Sequence, residues 1–333
     1  MSYSFNSVRA RVKNKSIETG VKVDVLYRRY LLERFIARIA ASKHRDSVII
    51  KGGILISAIT GIDMRSTKDL DATFRGCGTI RDFENIAMDV IAIELDDQVR
   101  FSFVRSEEII LDNNYPCCRI HMRGLLGTMN EKVEIDVTTG DFITPGEIEY
   151  GFPTLFGDEK IPIFAYTLET ILAEKMTAIL DLGVFSTRAK DYYDVYLLTN
   201  TQTDKIDRTV LAMALQNTLR RRNKEGLLVN CRDTIFKTVN SIDIQRHWEK
   251  YRNEYPYAAD IDFRQIVSAL LRLLNWAGIE INFTLKEPVD SIPVKKGSIL
   301  DKMYQIQKTI DAEEVKKEAP GISKTSRLRE RDV

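Results

Sequence analysis

The 333-residue sequence has few of the residues on which several classes of enzyme depend. It contains three histidines, His44, His121 and His247, which are far apart and form no His-Glu-x-x-His pattern. Its four cysteines form no Cys-x-x-Cys pair and are too few for a disulfide framework in a chain of this length. Zinc hydrolases, enzymes with a histidine-based triad and disulfide-rich secreted proteins are therefore disfavoured.

Long hydrophobic segments are also lacking. No stretch approaches the roughly 20 apolar residues of a membrane-spanning helix, and residues 1–15 lack the apolar core of a secretory signal. We therefore expect a cytoplasmic protein with no membrane partner. With 44% hydrophobic and 29% charged residues, the composition is typical of a globular protein.

Neither sign of charge dominates the whole chain, which has 49 basic and 48 acidic residues. The distribution is uneven, because residues 1–50 carry 11 basic against 4 acidic residues, a net charge of +7. Together with the basic run at residues 220–224, this segment would attract the backbone of an RNA. The run would equally well satisfy the last carbonyl groups of a helix, and both interpretations stay open.

Strand-like and helical patterns separate along the chain. Short β-branched runs and alternating apolar residues predict strands at residues 47–50, 69–74, 99–104, 118–122 and 132–138. Apolar residues at helical spacing predict helices at residues 23–41, 54–60 and 80–95, and then almost throughout from residue 167, including one after a capping box at 298–301. This order favours an α+β fold that continues into a helical part.

Glycine and proline are concentrated between residues 142 and 162, which predicts a long ordered loop or a domain boundary there. We therefore expect a first domain at residues 1–155, including an N-terminal helical arm, and an α-helical domain at residues 156–318. Residues 319–333 are polar and mostly charged, and we expect a disordered tail.

The most informative segment is residues 51–71. Gly52 and Gly53 lie between a predicted strand and a predicted helix, where a phosphate group can approach backbone N–H groups closely. Asp69 and Asp71 are two residues apart on the next strand, so their carboxylates share a face. Magnesium is normally held by one or two carboxylates together with the phosphates of a substrate.

Asp136 supplies a third acid if its strand lies beside that of Asp69 and Asp71. Three carboxylates can hold two metal ions, one that activates an attacking hydroxyl group and one that neutralises leaving pyrophosphate. Taken alone, an Asp-x-Asp pair is more often a turn or a solvated strand face, and Gly-Gly is more often a simple turn. Their order along the chain makes the combined pattern informative.

The block from Lys51-Gly-Gly to Arg65-Ser-Thr-Lys-Asp-Leu-Asp71 resembles the AbiEii/MenT family of toxins, which belongs to the DNA-polymerase-β-like nucleotidyltransferases. The resemblance covers roughly residues 1–280. It implies a polymerase-β-type domain with a mixed β-sheet, followed by a largely α-helical domain. It also implies that Asp69, Asp71 and Asp136 hold Mg²⁺, and that the nucleotide contacts the residues Lys51, Gly52, Gly53, Arg65, Ser66 and Lys68.

One position departs from the superfamily pattern. Its first motif usually reads Gly-Ser, with the serine hydroxyl on a phosphate, whereas the second residue here is Gly53. Ser66 is a candidate for supplying the missing hydroxyl group. The departure also keeps open a nucleotide-binding module that does not turn over.

Lys175 lies among the apolar residues of a predicted helix stripe. A buried ammonium group requires a partner, either a carboxylate or a bound triphosphate, unless the side chain reaches solvent at the helix edge. The family resemblance implies that Lys175 contacts the nucleotide phosphates. It also implies that one aspartate, Asp191 or Asp194, orients the lysine or the nucleotide, although both acids would also suit the first turn of an exposed helix.

These inferences predict a nucleotidyltransferase that uses one or two Mg²⁺ ions, the toxin of an abortive-infection toxin–antitoxin pair. The resemblance implies transfer from GTP or a pyrimidine triphosphate to RNA, at the 3′ end of tRNA, and an antitoxin protein encoded nearby. A small-molecule nucleotidyltransferase of the antibiotic-modifying kind is the alternative. Its acceptor pocket would be acidic, and the +7 segment disfavours it. A metal-dependent glycosyltransferase ranks last, because it does not require the Gly-Gly helix.

Overall fold

The computed structural model describes residues 4–76, 79–109 and 117–280, all of which belong to one unit that spans Met1–Ile292. Within these residues, seven strands form one sheet: β1 (Val48–Lys51), β2 (Leu70–Phe74), β3 (Arg100–Glu108), β4 (Cys117–Leu126), β5 (Met129–Thr139), β6 (Ile148–Pro153) and β7 (Lys160–Ala165). The predicted helix after residue 298 and the predicted tail lie outside the described residues.

Ten α-helices accompany the sheet within the described part of the chain. They are α1 (Phe5–Thr19), α2 (Val23–Ala41), α3 (Gly52–Thr60), α4 (Ile80–Ile91), α5 (Leu168–Leu182), α6 (Ala189–Thr201), α7 (Arg208–Arg221), α8 (Cys231–Val239), α9 (Ile242–Glu254) and α10 (Phe263–Trp276). None of these helices has both the length and the apolar composition needed to cross a membrane. The α+β class is confirmed, whereas the domain division at residue 155 stays a prediction.

The sheet is mixed, with the strand order β3-β4-β5-β2-β1-β7-β6. β2 runs parallel to β5 and β1 runs parallel to β7, and the other neighbours are antiparallel. This order places β2, with its acidic sequence, between β1 and β5. The strand that ends at the Gly-Gly pair and the two strands that carry the predicted acids are therefore adjacent, as the third-acid hypothesis required.

One face of the sheet is apolar and packs against α2 and α4. A Cβ atom at Gly124 of β4 would lie 2.9 Å from Leu31 of α2, which measures how closely this helix approaches the strand. Phe35 of α2 meets Phe101 of β3 edge to face at 5.4 Å between ring centroids. The opposite face is left for the helices that follow β7.

The segment at residues 142–162 is not the predicted long loop. It contains β6 and the first half of β7, which form a hairpin at one edge of the sheet. Pro162 has no N–H group to donate to a neighbouring strand. β7 accommodates it because β1 pairs only with Phe164 and Ala165, so Pro162 lies outside the hydrogen bonds between β1 and β7. The glycines and prolines of this segment therefore belong to a hairpin and its flanking turns.

Two arginines of α2 are buried, although the sequence pattern places the arginines of this helix largely off its apolar stripe. Arg38 donates through Nη1 and Nη2 to the two carboxylate oxygens of Asp97, at 2.8 and 2.9 Å, and through Nη2 to the Val99 carbonyl oxygen at 2.6 Å. The guanidinium group of Arg29 lies 4.4 Å from the ring centre of Phe152. These two arginines therefore stabilise the fold and are not available to an RNA.

Replacing Arg38 tests this structural role. Because Asp97 would lose its buried partner, Arg38→Ala should lower the free energy of unfolding by about 3–5 kcal/mol. The exposed pair of Lys43 and Asp89, 2.9 Å apart, provides the control. Lys43→Ala should cost less than about 1 kcal/mol in the same denaturant titration. Equal effects of the two substitutions would contradict the assignment.

Candidate active site

Four charged side chains form a row across the polar face of the sheet. Strand register pairs Lys51 of β1 with Asp71 of β2, Asp71 with Asp136 of β5, and Asp136 with Arg119 of β4. Residues paired across neighbouring strands project to the same face of a sheet. The sequence-predicted acids Asp71 and Asp136 are therefore brought side by side, with a cation at each end of the row.

This row forms the floor of a cavity of 520 Å³. Residues of α5 and the segments that flank α6 and α7 complete its wall. Nine cationic side chains line it, Lys51, Arg65, Arg119, Lys175, Arg188, Lys190, Arg221, Arg222 and Lys224. Six carboxylates line it, Asp69, Asp71, Asp136, Asp141, Glu174 and Asp181. The excess of cations suits an anionic ligand.

Gly52 is required for the approach of Asp71 to the start of α3. Its φ angle is +65°, and a Cβ atom there would lie 2.0 Å from the Asp71 Oδ2 atom. The next residue, Gly53, donates its backbone N–H to the same oxygen at 3.3 Å. The sequence predicted a phosphate contact or a simple turn at the glycine pair, whereas Gly52 also makes room for the carboxylate.

The hydroxyl group nearest to Gly53 belongs to Thr67. A Cβ atom at residue 53 would lie 3.0 Å from Thr67 Oγ1 and 3.1 Å from Arg65 Nη2. Thr67 lines the cavity, whereas neither Ser66 nor Lys68 does. A serine side chain at position 53 would therefore compete for space with the hydroxyl group of Thr67.

Lys175 is held by both aspartates between which the sequence analysis left the choice open. Its Nζ atom lies 2.7 Å from Asp191 Oδ1 and 2.9 Å from Asp194 Oδ2. Each acid has a second cation: Arg188 Nε lies 2.6 Å from Asp191 Oδ2, and Arg65 Nε lies 2.6 Å from Asp194 Oδ1. The carboxylate partner that a buried lysine requires is thus present twice.

Electrostatic interactions keep this network charged. Burial by itself would raise the pKa of Asp194, but Arg65 and Lys175 outweigh burial and hold the pKa below its usual value. Burial alone would lower the pKa of Lys175, and Asp194 and Asp191 raise it well above its usual range. The Lys175 side chain retains 12% exposure and lines the cavity, so it presents a permanent positive charge there.

Asp141 is a cavity residue that the sequence analysis missed. Its Oδ2 atom accepts hydrogen bonds from Lys51 Nζ at 2.5 Å, from Thr138 Oγ1 at 2.6 Å and from the Tyr166 hydroxyl at 2.7 Å. Asp141 comes just after β5 and a glycine with φ of +70°. The turn at this glycine ends the alternation of apolar and polar residues along β5, on which Asp136 lies. The spacing of residues in the sequence therefore could not place Asp141 in the site.

Asp71 and Asp136 have different environments. Burial raises the pKa of Asp71, although Lys51 and Lys175 oppose the increase. Both oxygens of Asp136 are occupied, because Arg119 Nε and Nη2 each donate to one of them at 2.7 Å. In the described ranges, no group of three or more His, Cys, Asp or Glu side chains is arranged to hold a metal ion.

The twelve sequence-predicted site residues divide into two groups. Eight line the cavity: Asp69, Asp71, Asp136, Lys175, Lys51, Gly52, Gly53 and Arg65. Four do not: Asp191 and Asp194, which contact Lys175, and Ser66 and Lys68, which lie on the segment that leads into β2. A divalent cation fits Asp69 and Asp71 if phosphate oxygens complete its coordination.

Comparison with known proteins identifies the family of the chain. The model of the family described as "Nucleotidyl transferase AbiEii toxin, Type IV TA system" matches residues 34–269. The chain belongs to this family; it is a nucleotidyltransferase and the toxin of a toxin–antitoxin system, whose partner is an antitoxin. The resemblance deduced from the sequence is confirmed, and the match begins within α2.

Two crystal structures from Helicobacter pylori are similar to the chain. One is a candidate nucleotidyltransferase with 12% identity and a TM-score of 0.42, covering 78% of this chain and 95% of its own. The other is the protein JHP933, with 11% identity and a TM-score of 0.43, covering 88% of this chain and 99% of its own. No curated protein sequence is significantly similar to the chain.

Substitution of Gly52 tests its role as the space for Asp71. Gly52→Ala should reduce nucleotide transfer by about 100-fold or more, because a displacement of about 1 Å at a reacting centre has that effect. Gly20 has a similar φ angle of +70° and nothing within 4 Å of its Cβ position, so Gly20→Ala is the matched control. Because the backbone strain is similar at both positions, the control should lower the Tm by a similar amount. Its activity should be unchanged. Loss of activity in both variants would contradict the proposed cause.

Stability should depend on Asp194 in a pH-dependent way. Because the pKa of Asp194 is lowered in the folded protein, its contribution is complete above the unfolded-state pKa of about 3.9 and decreases as the pH falls below it. The Tm difference between wild type and Asp194→Asn should therefore be largest near pH 6 and smaller at pH 3.5. The exposed pair of Asp233 and Lys237 supplies a control, Asp233→Asn, with a small effect at both pH values.

Proposed function

We propose that this nucleotidyltransferase transfers a nucleotide from a nucleoside triphosphate, GTP or a pyrimidine triphosphate, to the 3′ end of tRNA in a Mg²⁺-dependent reaction. The observation that carries the proposal is the cavity itself. Nine cations surround a floor on which Asp71 contacts the start of a helix that opens with Gly52 and Gly53. A triphosphate, a divalent cation and a second polyanion are the ligands that such a charge distribution favours.

The triphosphate binds at the glycine side of the cavity. The backbone N–H groups at the start of α3 provide donors and the positive end of a helix dipole. Lys175 adds a fixed positive charge, because Asp191 and Asp194 orient its ammonium group and prevent its deprotonation. Charge that develops on the departing pyrophosphate is stabilised by these preorganised groups.

Asp69 and Asp71 would hold the magnesium ion, and Asp136 would join them as a further ligand or as the base for the acceptor hydroxyl. When bound, the ion activates the attacking oxygen and neutralises charge on the phosphates. The chain's own contribution is to hold Asp71 on β2 and Asp69 in the bend directly before this strand. Gly52 and Gly53 hold Asp71 there, since one provides space and the other a hydrogen bond.

An RNA acceptor is favoured by the basic residues of the cavity wall. Arg188 and Lys190 flank the start of α6, and Arg221, Arg222 and Lys224 lie at the end of α7. Some of their charge is compensated, since Arg222 Nη2 lies 3.1 Å from Glu174. The balance of the lining is nevertheless positive, which favours a polyanion over the cationic antibiotic of the alternative function.

The biological setting follows from the family. The antitoxin, encoded nearby, would oppose this transfer, and the toxin would act in the cytoplasm as a defence against phage. Modification of the 3′ end of tRNA would then stop translation in the infected cell.

A label-transfer assay tests the reaction directly. Purified protein is incubated with Mg²⁺, total tRNA and each α-labelled nucleoside triphosphate in turn. One nucleotide should label a tRNA band, and Asp71→Asn or a chelator should remove the label while the Tm of the protein stays within a few degrees. Asp63, an exposed acid in the segment before β2, provides the matched control Asp63→Asn, which should remain active.

Three results would contradict the proposal in different ways. Label in the Asp71→Asn lane would exclude the carboxylate mechanism. Label on a small molecule instead of tRNA would replace the acceptor class. Nucleotide binding in calorimetry without transfer to any acceptor would favour a binding module.

A further inference from the structure

The state of Asp136 raises a question that the proposed function does not answer. Asp136 lies next to Asp71 in the strand register, where a carboxylate can join a cation site. Both of its oxygens, however, accept hydrogen bonds from the guanidinium group of Arg119. As long as this bidentate pair persists, the guanidinium group of Arg119 competes with a cation for the Asp136 carboxylate and makes it a weaker base.

The pair formed by Arg119 and Asp136 is more exposed than the two pairs that hold Lys175. Its side chains are 38% and 24% exposed, whereas those of Asp191 and Asp194 are 1% and 0% exposed. A buried pair is costly to separate, but an exposed pair exchanges readily because water and other ligands compensate each charge. Lys175 therefore keeps its partners, and Arg119 is free to exchange its own.

The position of Arg119 indicates what replaces Asp136 as its partner. Along the row, Lys51 and the glycine pair lie at the end where the triphosphate is proposed to bind, and Arg119 lies at the other end, on β4. Attacking and leaving oxygens are roughly in line at the reacting phosphorus, so the acceptor approaches from the side opposite to pyrophosphate. A guanidinium group that binds two carboxylate oxygens also fits two phosphate oxygens.

We propose that Arg119 occupies Asp136 in the free protein and releases it to the divalent cation when a phosphate group of the acceptor RNA binds the guanidinium. The inference rests on the proposed function, because it assumes a metal ion and an RNA acceptor. It adds a coupling that the proposed function does not contain: cation and acceptor bind cooperatively, each increasing the affinity for the other. In the toxin, Asp136 then becomes available to the cation only when an acceptor is bound.

Binding measurements without turnover test the coupling. Free Mn²⁺ is followed by electron paramagnetic resonance during titration of the full-length protein with an α,β-methylene nucleoside triphosphate, with and without a short RNA that ends in a 3′-deoxynucleotide. In the wild type, the RNA should increase Mn²⁺ affinity by about fivefold or more, within the usual range of coupling between sites. RNA affinity, measured by fluorescence anisotropy, should increase by the same factor when Mn²⁺ is added.

Variants of Arg119 make the prediction specific. In Arg119→Ala, Mn²⁺ affinity should already be raised without RNA, and RNA should no longer change it. Arg119→Lys loses the bidentate hydrogen bonds, so its Mn²⁺ affinity without RNA should lie between those of Arg119→Ala and the wild type. Arg123, exposed on the same strand four residues away and outside the cavity lining, gives the matched control Arg123→Ala, which should behave as wild type.

The possible results separate the coupling from the function on which it rests. Unchanged or weaker Mn²⁺ binding in Arg119→Ala, with the RNA effect retained, would overturn the inference and leave the metal-dependent reaction intact. Tighter Mn²⁺ binding in this variant without any RNA effect in the wild type would also overturn the coupling. Absence of Mn²⁺ binding in every variant would overturn the inference together with the metal-dependent mechanism.

Discussion

The active site depends on the burial of Asp194 between two cations that come from different parts of the chain. Its carboxylate is completely buried and contacts Lys175 of α5 and Arg65 of the segment before β2. A buried carboxylate without such partners would be strongly destabilising, so the two partners must remain in place. Asp194 therefore fixes the lysine of the helical part relative to the strand segment that carries Asp69 and Asp71.

The sheet and the helices contribute different charges to the cavity. The sheet provides the carboxylates of the cavity floor, and the segments around α5, α6 and α7 provide most of its cations. Charges of both signs converge only when the helices pack onto the polar face of the sheet. The apolar face, packed against α2 and α4, contributes stability.

Much of the site could be predicted from the sequence because its signals are local. Each signal is a spacing or a periodicity within a short stretch of sequence. The signals are the Gly-Gly pair, the two acids two residues apart and the lysine on an apolar helix stripe. The pairing of Asp136 with Arg119 could not be predicted, since it depends on the register of β4 against β5. Asp141 and the hairpin of β6 and β7 were missed for a related reason: turns at glycine change the direction of the chain and hide the alternation. The net charge of the first 50 residues overstates the charge that an RNA can reach, because Arg29 and Arg38 belong to the core.

The junction between β7 and α5 limits how the family can vary in sequence. β7 ends at Ala165 beside β1, and α5 begins at Leu168, so only two residues connect them. The first, Tyr166, donates its N–H to Ile50 of β1 and its hydroxyl to Asp141, and the second, Thr167, caps the helix. An inserted residue here would rotate Lys175 by about 100° around the helix axis, away from both aspartates. Length variation is therefore expected in the turn between β6 and β7, residues 154–159, whereas the junction at residues 166–167 should keep a constant length.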